Sequence, residues 1–440
     1  MTPRRPSPVA NDATRSGDPG RDPYRWVLFG AMCGIYLVFG VVLLAIPPMV
    51  AEVRADLGIS RAMLGFALGA WALLYIFTAP PAGRIIDRLG LRLSLTAGSL
   101  LIAASAVMQA CAQGVVMLWL AIGIIGIGGP LVSLSAPKLV AVWFASPRDR
   151  ALAVGLYTSA PALGGMLALA LTNSVLLPAL GDWRWVLVFD AALNLLAASV
   201  WVLVSGRTPS APDTADLSEV STLRGAEAAK ALLGSSGVRL AMLLGIGTFF
   251  ITQGLSAWLP DMLEEHTGLS ARTASNWAAA SLAVGVIARL VMPGLALPER
   301  RSRMLLGVMI ALASAMVLLA VGPPGTEVAA ALVLGLRSAL SALVILVLME
   351  TEQVTVGNVG LAYGLWFSAV QIGGALGPQV VGAFGDSDLG FPGALVAMAL
   401  LLVVMIAVLL RDDRRSGRLA SRSPSGPPTA TAGSTICATP

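Results

Sequence analysis

The stretch GRIIDRLGLR, Gly83 to Arg92, packs three arginines (Arg84, Arg88 and Arg92) and Asp87 into one short turn. On either side lie runs, at 61–82 and 93–112, that hold almost no charge. A charged turn between two such runs marks a passage from hydrocarbon to water and back, because a helix needs about 20 apolar residues to cross a core of roughly 30 Å. The rest of the chain repeats the pattern. Of its 440 residues 56% are hydrophobic and 12% charged, against roughly 25% charged in an ordinary soluble domain, and the mean hydropathy is +0.81. This is the composition of an integral membrane protein.

Working outward from that turn, apolar runs broken by Gly, Pro and charge predict twelve membrane-spanning helices, at 26–50, 61–82, 93–112, 115–143, 151–179, 184–204, 238–261, 271–297, 304–322, 327–349, 359–384 and 391–410. Between the sixth and seventh lies a polar, Pro-containing connection, 205–237, with one surface helix expected around Glu219 to Leu233. The expected organisation is an N-terminal tail (1–25), a six-helix bundle (26–204), a linker (205–237), a second six-helix bundle (238–410) and a C-terminal tail (411–440). The fold class expected is all-α, two pseudo-symmetric six-helix bundles in a membrane.

Short loops rich in Lys and Arg stay cytoplasmic. With both termini inside, the inner loops hold Arg84, Arg88, Arg92, Arg148, Arg150, Arg300, Arg301 and Arg303, and the outer loops collect acids such as Glu52, Asp56, Asp182, Asp261, Glu264, Glu265 and Asp386, against the arginines Arg54, Arg61, Arg184 and Arg272. Glu350 and Glu352, on an inner loop without a basic partner, are the exception. The expected location is the cytoplasmic membrane. The net charge of +5 is spread over loops and tails, so membrane lipid is the expected counterpart and nucleic acid is not. Cys33, Cys111 and Cys437 form neither a disulfide framework nor a metal-ligand spacing. The polar first 25 residues do not have the form of a signal peptide.

The two halves share a segment. GLYTSAPALGG (155–165, fifth span) and GLWFSAVQIGG (364–374, eleventh span) align Gly-Leu, an aromatic, Ser-Ala and Gly-Gly in register. Fifth and eleventh spans are equivalent positions in a duplicated six-helix unit.

The opening turn resembles the G-x-x-x-D-R-x-G-R/K signature of the major facilitator superfamily, matching at Gly83, Asp87, Arg88 and Gly90, with Leu91 intervening before Arg92. The resemblance implies a gating latch of Gly83, Asp87, Arg88, Gly90 and Arg92. Glycine permits the close approach and the sharp turn, and Asp87 is free to pair with a basic group or helix N-terminus of the opposite bundle in one state only. The second-half counterpart, GLALPERRSR from Gly294, has Pro298 where Asp87 falls, so its latch is expected to be degraded. In the fourth span Ile122 stands where a proton-coupled member would carry arginine ahead of Gly126 and Gly128, and in the fifth Ala160-Pro161-x-x-Gly164-Gly165 is similar to an antiporter motif with Ala for its first Gly. A narrower resemblance, carried by Gly254 to Leu306 with its A-W-L-P turn at Ala257 to Pro260, is to the cyanate and nitroimidazole permease group. The first half is similar to monocarboxylate and oxalate-formate carriers as well. These kinships imply a small, often anionic or amide-like solute.

Ionisable groups inside a bilayer are costly and line cavities or pathways. Arg337, about ten residues or roughly 15 Å into the tenth span, is too deep to snorkel, and its guanidinium fork suits a carboxylate or similar planar anion, against a role bridging helices through backbone carbonyls. Arg289 in the eighth span is the second candidate, in a span where the monocarboxylate carriers also place an arginine. Tyr36, Gln253, Trp258 and Gln371 offer neutral hydrogen bonds and aromatic walls, as does Trp366. Asp190, four residues before Asn194 on the sixth span, is a possible coupling group, against a structural role between helices. Lys138 lies near the inner end of the fourth span and can snorkel, and His266 reads as a solvated loop residue.

These residues predict a secondary transporter for a small organic or inorganic anion, working by alternating access with or without a coupled ion. No cofactor or metal is expected. No phosphate-binding G-x-x-x-x-G-K-S/T occurs, nor H-E-x-x-H or a Cys-His or Ser-His constellation, so an ATP-driven pump and an enzyme are disfavoured. Alternatives are an efflux carrier for a drug-like amphiphile and a solute sensor that does not transport. Oligomeric state is not legible.

Overall fold

The computed structural model describes residues 23–144, 146–207, 222–296, 300–355 and 358–415, and every regular element among them is helical. Pro298, both tails for most of their length, and residues 208–221 of the linker lie outside the described residues.

The first span is α1 (Tyr24–Leu43), a turn of 3-10 helix over Pro47–Met49 and α2 (Val50–Leu57); the break falls where Pro47 and Pro48 remove two amide donors. Helix α3 (Arg61–Ala110) runs 50 residues and turns at Gly90, whose φ of 76° lies in the left-handed region that glycine alone enters cheaply. It therefore holds the second and third spans, joined through the charged turn. The fourth span is α4 (Val115–Ser133) with α5 (Ser135–Trp143); the fifth is α6 (Pro147–Leu171), a π-helical turn Thr172–Leu176 and α7 (Leu177–Leu180); the sixth is α8 (Trp183–Ser205). In the linker region α9 (Thr222–Gly234) forms close to where a helix was expected. The second half comprises α10 (Ser236–Thr267), α11 (Ala271–Leu295), α12 (Arg301–Val321), α13 (Glu327–Leu334) with α14 (Arg337–Met349), α15 (Val359–Gly385) and α16 (Gly390–Arg415). Ten helical stretches among the described residues are long and apolar enough to cross a membrane, with Arg61–Ala110 counted once. Dividing that stretch at Gly90 and adding the 27-residue α15 is consistent with twelve crossings. Large side chains such as Phe77, Leu203 and Val321 are two-thirds exposed or more, as expected of a surface that meets lipid rather than water.

The aligned fifth and eleventh spans do equivalent work. A Cβ at Gly164 would collide with the Leu37 carbonyl of α1, and one at Gly373 with the Ile246 carbonyl of α10. Each glycine lets its helix touch the backbone of the first helix of its own half.

Between halves, α3 packs on α15 and α6 on α11. The two ends of the molecule differ. At one end a Cβ at Gly65 would strike the Pro378 carbonyl and one at Gly382 the Arg61 carbonyl, so the second and eleventh spans are in backbone contact there. Arg61 fastens that contact. Its Nε donates to Asp261 (3.1 Å) and Nη1 to the Gly385 carbonyl (3.0 Å), and it pairs with Glu265, while its own amide and that of Ala62 donate to Asp386 (3.1 and 2.7 Å). Across the fifth and eighth spans, Asn173 Nδ2 donates to the Pro48 carbonyl (2.7 Å) and to Ser275 Oγ (2.9 Å). At the opposite end, the ion pairs among the described residues stay inside one half: Lys138–Asp87 (2.6 Å), Arg25–Asp149 (2.7 Å) and Arg301–Glu350. Glu350 thus has the basic partner that its loop lacks in the sequence. The bundles are thus joined by ion pairs at the Arg61 end, while the ion pairs named at the Asp87 end lie within one half.

Candidate functional site

Between the bundles lies a cavity of about 190 Å³. Its wall from the first half is apolar: Leu43, Leu44 and Pro47 from the first span, Leu68 and Trp71 from the second, and Pro161 from the fifth, with Gly40 and Ala162 completing it. The second half supplies the polar groups. Thr252, Gln253 and Ser256 lie within two turns of α10, with Arg289 on α11 and Ser338 on α14; Ala257, Leu282 and Pro378 fill between them.

Arg289 is the one charged residue on this cavity among those that line it. It is half-buried, and its Nε donates to the Ser338 carbonyl at 3.4 Å. Helices α11 and α14 come this close because a Cβ at Gly285 would meet Ser338, and one at Gly335 the Ser281 carbonyl. Guanidinium stays charged at any working pH, so the cavity presents a fixed cation.

Arg337 occupies a different environment. It is 2% exposed, and Nη1 donates to Ser281 Oγ (3.1 Å) and to the Leu334 carbonyl (2.9 Å). That carbonyl belongs to the break between α13 and α14, where the helical ladder leaves acceptors open. Arg337 thus ties the break in the tenth span to α11, one residue from Ser338, and does not line the cavity. Trp258 is fully buried, its Nε1 donating to the Pro378 carbonyl at 2.8 Å, and Trp366 Nε1 donates to the Ala241 carbonyl at 3.0 Å. Tyr36 donates to the Val132 carbonyl (2.8 Å) and meets Tyr157 edge-on at 5.8 Å. Gln371 is fully buried beside Gly374 and Gln253, with no hydrogen-bond partner for either side-chain polar atom. Of the sequence candidates, the structure therefore brings Arg289 and Gln253 together on one cavity.

Asp190 is 2% exposed inside the first bundle and its Oδ1 has no partner; Asn194, one turn along, accepts from Ser99 Oγ at 2.5 Å. Neither lines the cavity. In the charged turn, Asp87 accepts from Lys138 of its own half, Arg88 is exposed, and Arg92 Nη2 reaches the Val202 carbonyl at 3.4 Å. Gly83 has open space around its Cα face, and Gly90 makes the turn.

Sequence reasoning passed over Thr252, Ser256, Ser338 and Trp71, and it counted Arg61 only as an outer-loop charge. The spacing 252, 253, 256 puts three polar side chains on one face of a helix, which is a signal the sequence does carry. Nothing in the sequence links Arg61 to Asp261 and Asp386, which are 200 and 325 residues away.

The description of the matching family model is Major Facilitator Superfamily, and it covers residues 28–353. The chain is 27% identical over 157 residues to the D-galactonate transporter of Escherichia coli O6:H1, covering 35% of each protein. It is 29% identical over 198 residues to the puromycin resistance protein of Streptomyces alboniger, covering 44% of this chain and 38% of that one. The alignments thus span little more than a third of the length of these two relatives. Among solved structures, a bacterial homologue of the human lysosomal transporter Spinster, in an inward-facing and unoccupied conformation, superposes with a TM-score of 0.74 at 18% identity, covering 90% of this chain and 98% of that one.

Proposed function

This chain belongs to the Major Facilitator Superfamily, and from that premise we propose that it carries a small organic anion across the membrane, with Arg289 as the group that receives the negative charge. The observation that carries the reading is the cavity between the bundles, with Arg289 as its fixed cation and Thr252, Gln253 and Ser256 beside it. An isolated cation inside a membrane bundle is expensive and is retained where a ligand or pathway uses it. A sugar-acid transporter among the relatives agrees with an anionic solute. The family is one of transporters, and the chain is a multi-pass membrane protein rather than an enzyme.

The asymmetry of the two ends supports alternating access: the contacts at Arg61 close one side, and the loop charges favour that side as the exterior. We assign the gating roles to Arg61, Asp261, Glu265 and Asp386 at the closed end, and to Asp87 with its turn at the other. Kinship to the cyanate and nitroimidazole permease group within the superfamily, and residence in the cytoplasmic membrane, belong to the same proposal. A drug-like amphiphile fits less well, since cavities for such ligands run to about 300–1,000 Å³ and this one is about 190 Å³.

The test is thermal stabilisation of the purified protein by a panel of small carboxylates and their neutral amides, in wild type and Arg289→Gln. Carboxylate-specific stabilisation that disappears in the variant is expected. Stabilisation by the amides alone, unchanged in the variant, refutes the anion reading.

A further inference from the structure

The two walls of the cavity are chemically opposite, and the solute that fills it has to match both. On the side of the second half stand a guanidinium (Arg289), an amide (Gln253) and two hydroxyls (Thr252 and Ser256). On the side of the first half the lining side chains are those of Leu43, Leu44, Leu68, Pro47 and Pro161, with the ring of Trp71 beside them. We infer that the solute is itself two-faced: a monocarboxylate with an aromatic or branched aliphatic body, rather than a polyhydroxylated sugar acid. The inference rests on the anion reading of Arg289 and goes beyond it by fixing the uncharged part of the molecule.

Three observations bear on it. First, Arg289 is the one cationic side chain among those that line the cavity; the other deep arginine, Arg337, does not line it, and its Nη1 donates to Ser281 Oγ and the Leu334 carbonyl. A second carboxylate would lie against leucine or proline with nothing to neutralise it. Second, a sugar acid carries hydroxyls around its whole perimeter. Those turned toward the side chains of Leu43, Leu44 and Leu68 would lose water partners that these side chains do not replace. A flat or branched hydrocarbon loses nothing there and gains contact with the Trp71 ring. Third, the size is right. An apolar protein cavity of about 150 Å³ accepts benzene, and this one, at about 190 Å³, has room for a ring or a branched chain of similar bulk together with a carboxylate.

The test uses the full chain purified in detergent, with thermal stabilisation titrated against phenylacetate, 4-methylpentanoate, D-galactonate, succinate and phenylacetamide. Phenylacetate or 4-methylpentanoate is expected to bind at least about tenfold more tightly than D-galactonate, succinate or phenylacetamide, and to lose that binding in Arg289→Gln. A Leu44→Asn variant, placed on the apolar wall, is expected to narrow the preference over D-galactonate by about tenfold while succinate binding stays weak. If Arg289→Gln fails to fold, as judged by size exclusion, Arg289→Lys together with Leu44→Asn carries the test. D-galactonate binding as tightly as phenylacetate, with Arg289-dependence intact, overturns this inference and leaves the anion reading standing. Phenylacetamide binding as well as phenylacetate, independent of Arg289, overturns both. Absence of stabilisation by both apolar acids up to millimolar concentration overturns the inference as well.

Discussion

Removing the Arg61 side chain is expected to open the closed end. The side chain is 18% exposed and its partner Asp261 is 11% exposed, so this pair is shielded, while Glu265 at 48% is largely solvated. The guanidinium also donates to the Gly385 carbonyl and lies 4.9 Å from the centre of the Phe391 ring. A hydrogen bond to a charged group is worth about 1.5–3 kcal/mol when shielded, a solvated pair about 0–1, and a cation over a ring from about 0.5 to about 2 as the site is desolvated, the Phe391 ring being buried. These contacts cross between the halves, so separating the halves loses them. Allowing for the water that replaces them, Arg61→Ala should disfavour the closed end by about 2–3 kcal/mol, a change of about 30- to 140-fold in the ratio of closed to open. The substitution leaves the backbone amides of Arg61 and Ala62 bonded to Asp386, so α3 keeps its cap. The readout is labelling of Ser256→Cys, one to two turns of α10 inside the lock, by an impermeant maleimide applied to intact cells, with Cys33, Cys111 and Cys437 replaced by Ser. Labelling should accelerate toward that factor in Arg61→Ala. It should not change in Arg184→Ala, because Arg184 pairs with Asp56 and the Ala112 carbonyl inside the first half. An unchanged rate in Arg61→Ala, or an equal rise in the Arg184 control, refutes the lock.

Arg337→Ala should destabilise the folded protein by about 2–4 kcal/mol, because it empties a packed site and strands the Ser281 hydroxyl and the Leu334 carbonyl; thermal unfolding in detergent checks this, and Arg289→Ala should lower the midpoint much less. Gly164→Val and Gly373→Val should each destabilise strongly and to a similar degree, since both side chains would be driven into the carbonyl of the first helix of their own half; a large effect from one and none from the other contradicts their equivalence. Burial pushes the Asp386 carboxyl up, but the amides of Ala62 and Arg61, the Ser60 hydroxyl and the Arg54 charge outweigh it and hold the group below its ordinary value of 3.8. A depressed carboxyl favours the closed state above its ordinary value and loses that contribution as pH falls through the lower one. Spin-label distances across the Arg61 end should therefore show no Asp386-dependent change from pH 5 to 8 and opening below about pH 4, a transition absent from Asp386→Asn.

The spans were legible because lipid gives no alternative: a segment in hydrocarbon must satisfy its backbone internally and present apolar side chains, so helix length and composition are written into the chain. What is not written is which face of a helix meets a neighbour and which meets the cavity. Arg289 and Arg337 give the same signal in one dimension, a lone arginine deep in an apolar run. Three dimensions separate them through small residues elsewhere. Gly285, Gly335 and Ser338 let α11 and α14 close on each other, and that contact encloses Arg337 while Arg289, roughly 12 Å from Ser281 along α11, remains on the cavity.

The charged turn was legible in the sequence as a boundary, whereas its role as a latch turns on conformation. Gly83 to Arg92 determines where the chain leaves the membrane, a property of ten consecutive residues. Whether Asp87 reaches the other half is a property of a conformation, and here it is held by Lys138. An alternating carrier cannot open both ends at once without leaking, so to release solute at one end it breaks the cross-bundle contacts there while the other end stays locked. The pairing of Asp87 within its own half is thus the counterpart of Arg61 pairing across halves. When the Arg61 lock opens, Asp87 should exchange Lys138 for a partner in the second half. Asp87→Asn should then slow return to the state locked at the Asp87 end and leave the Arg61 lock in place. In the Ser256→Cys assay it should lower labelling from outside, the opposite sign to Arg61→Ala, and a rise in labelling would show that Asp87 holds the state described here rather than its alternate.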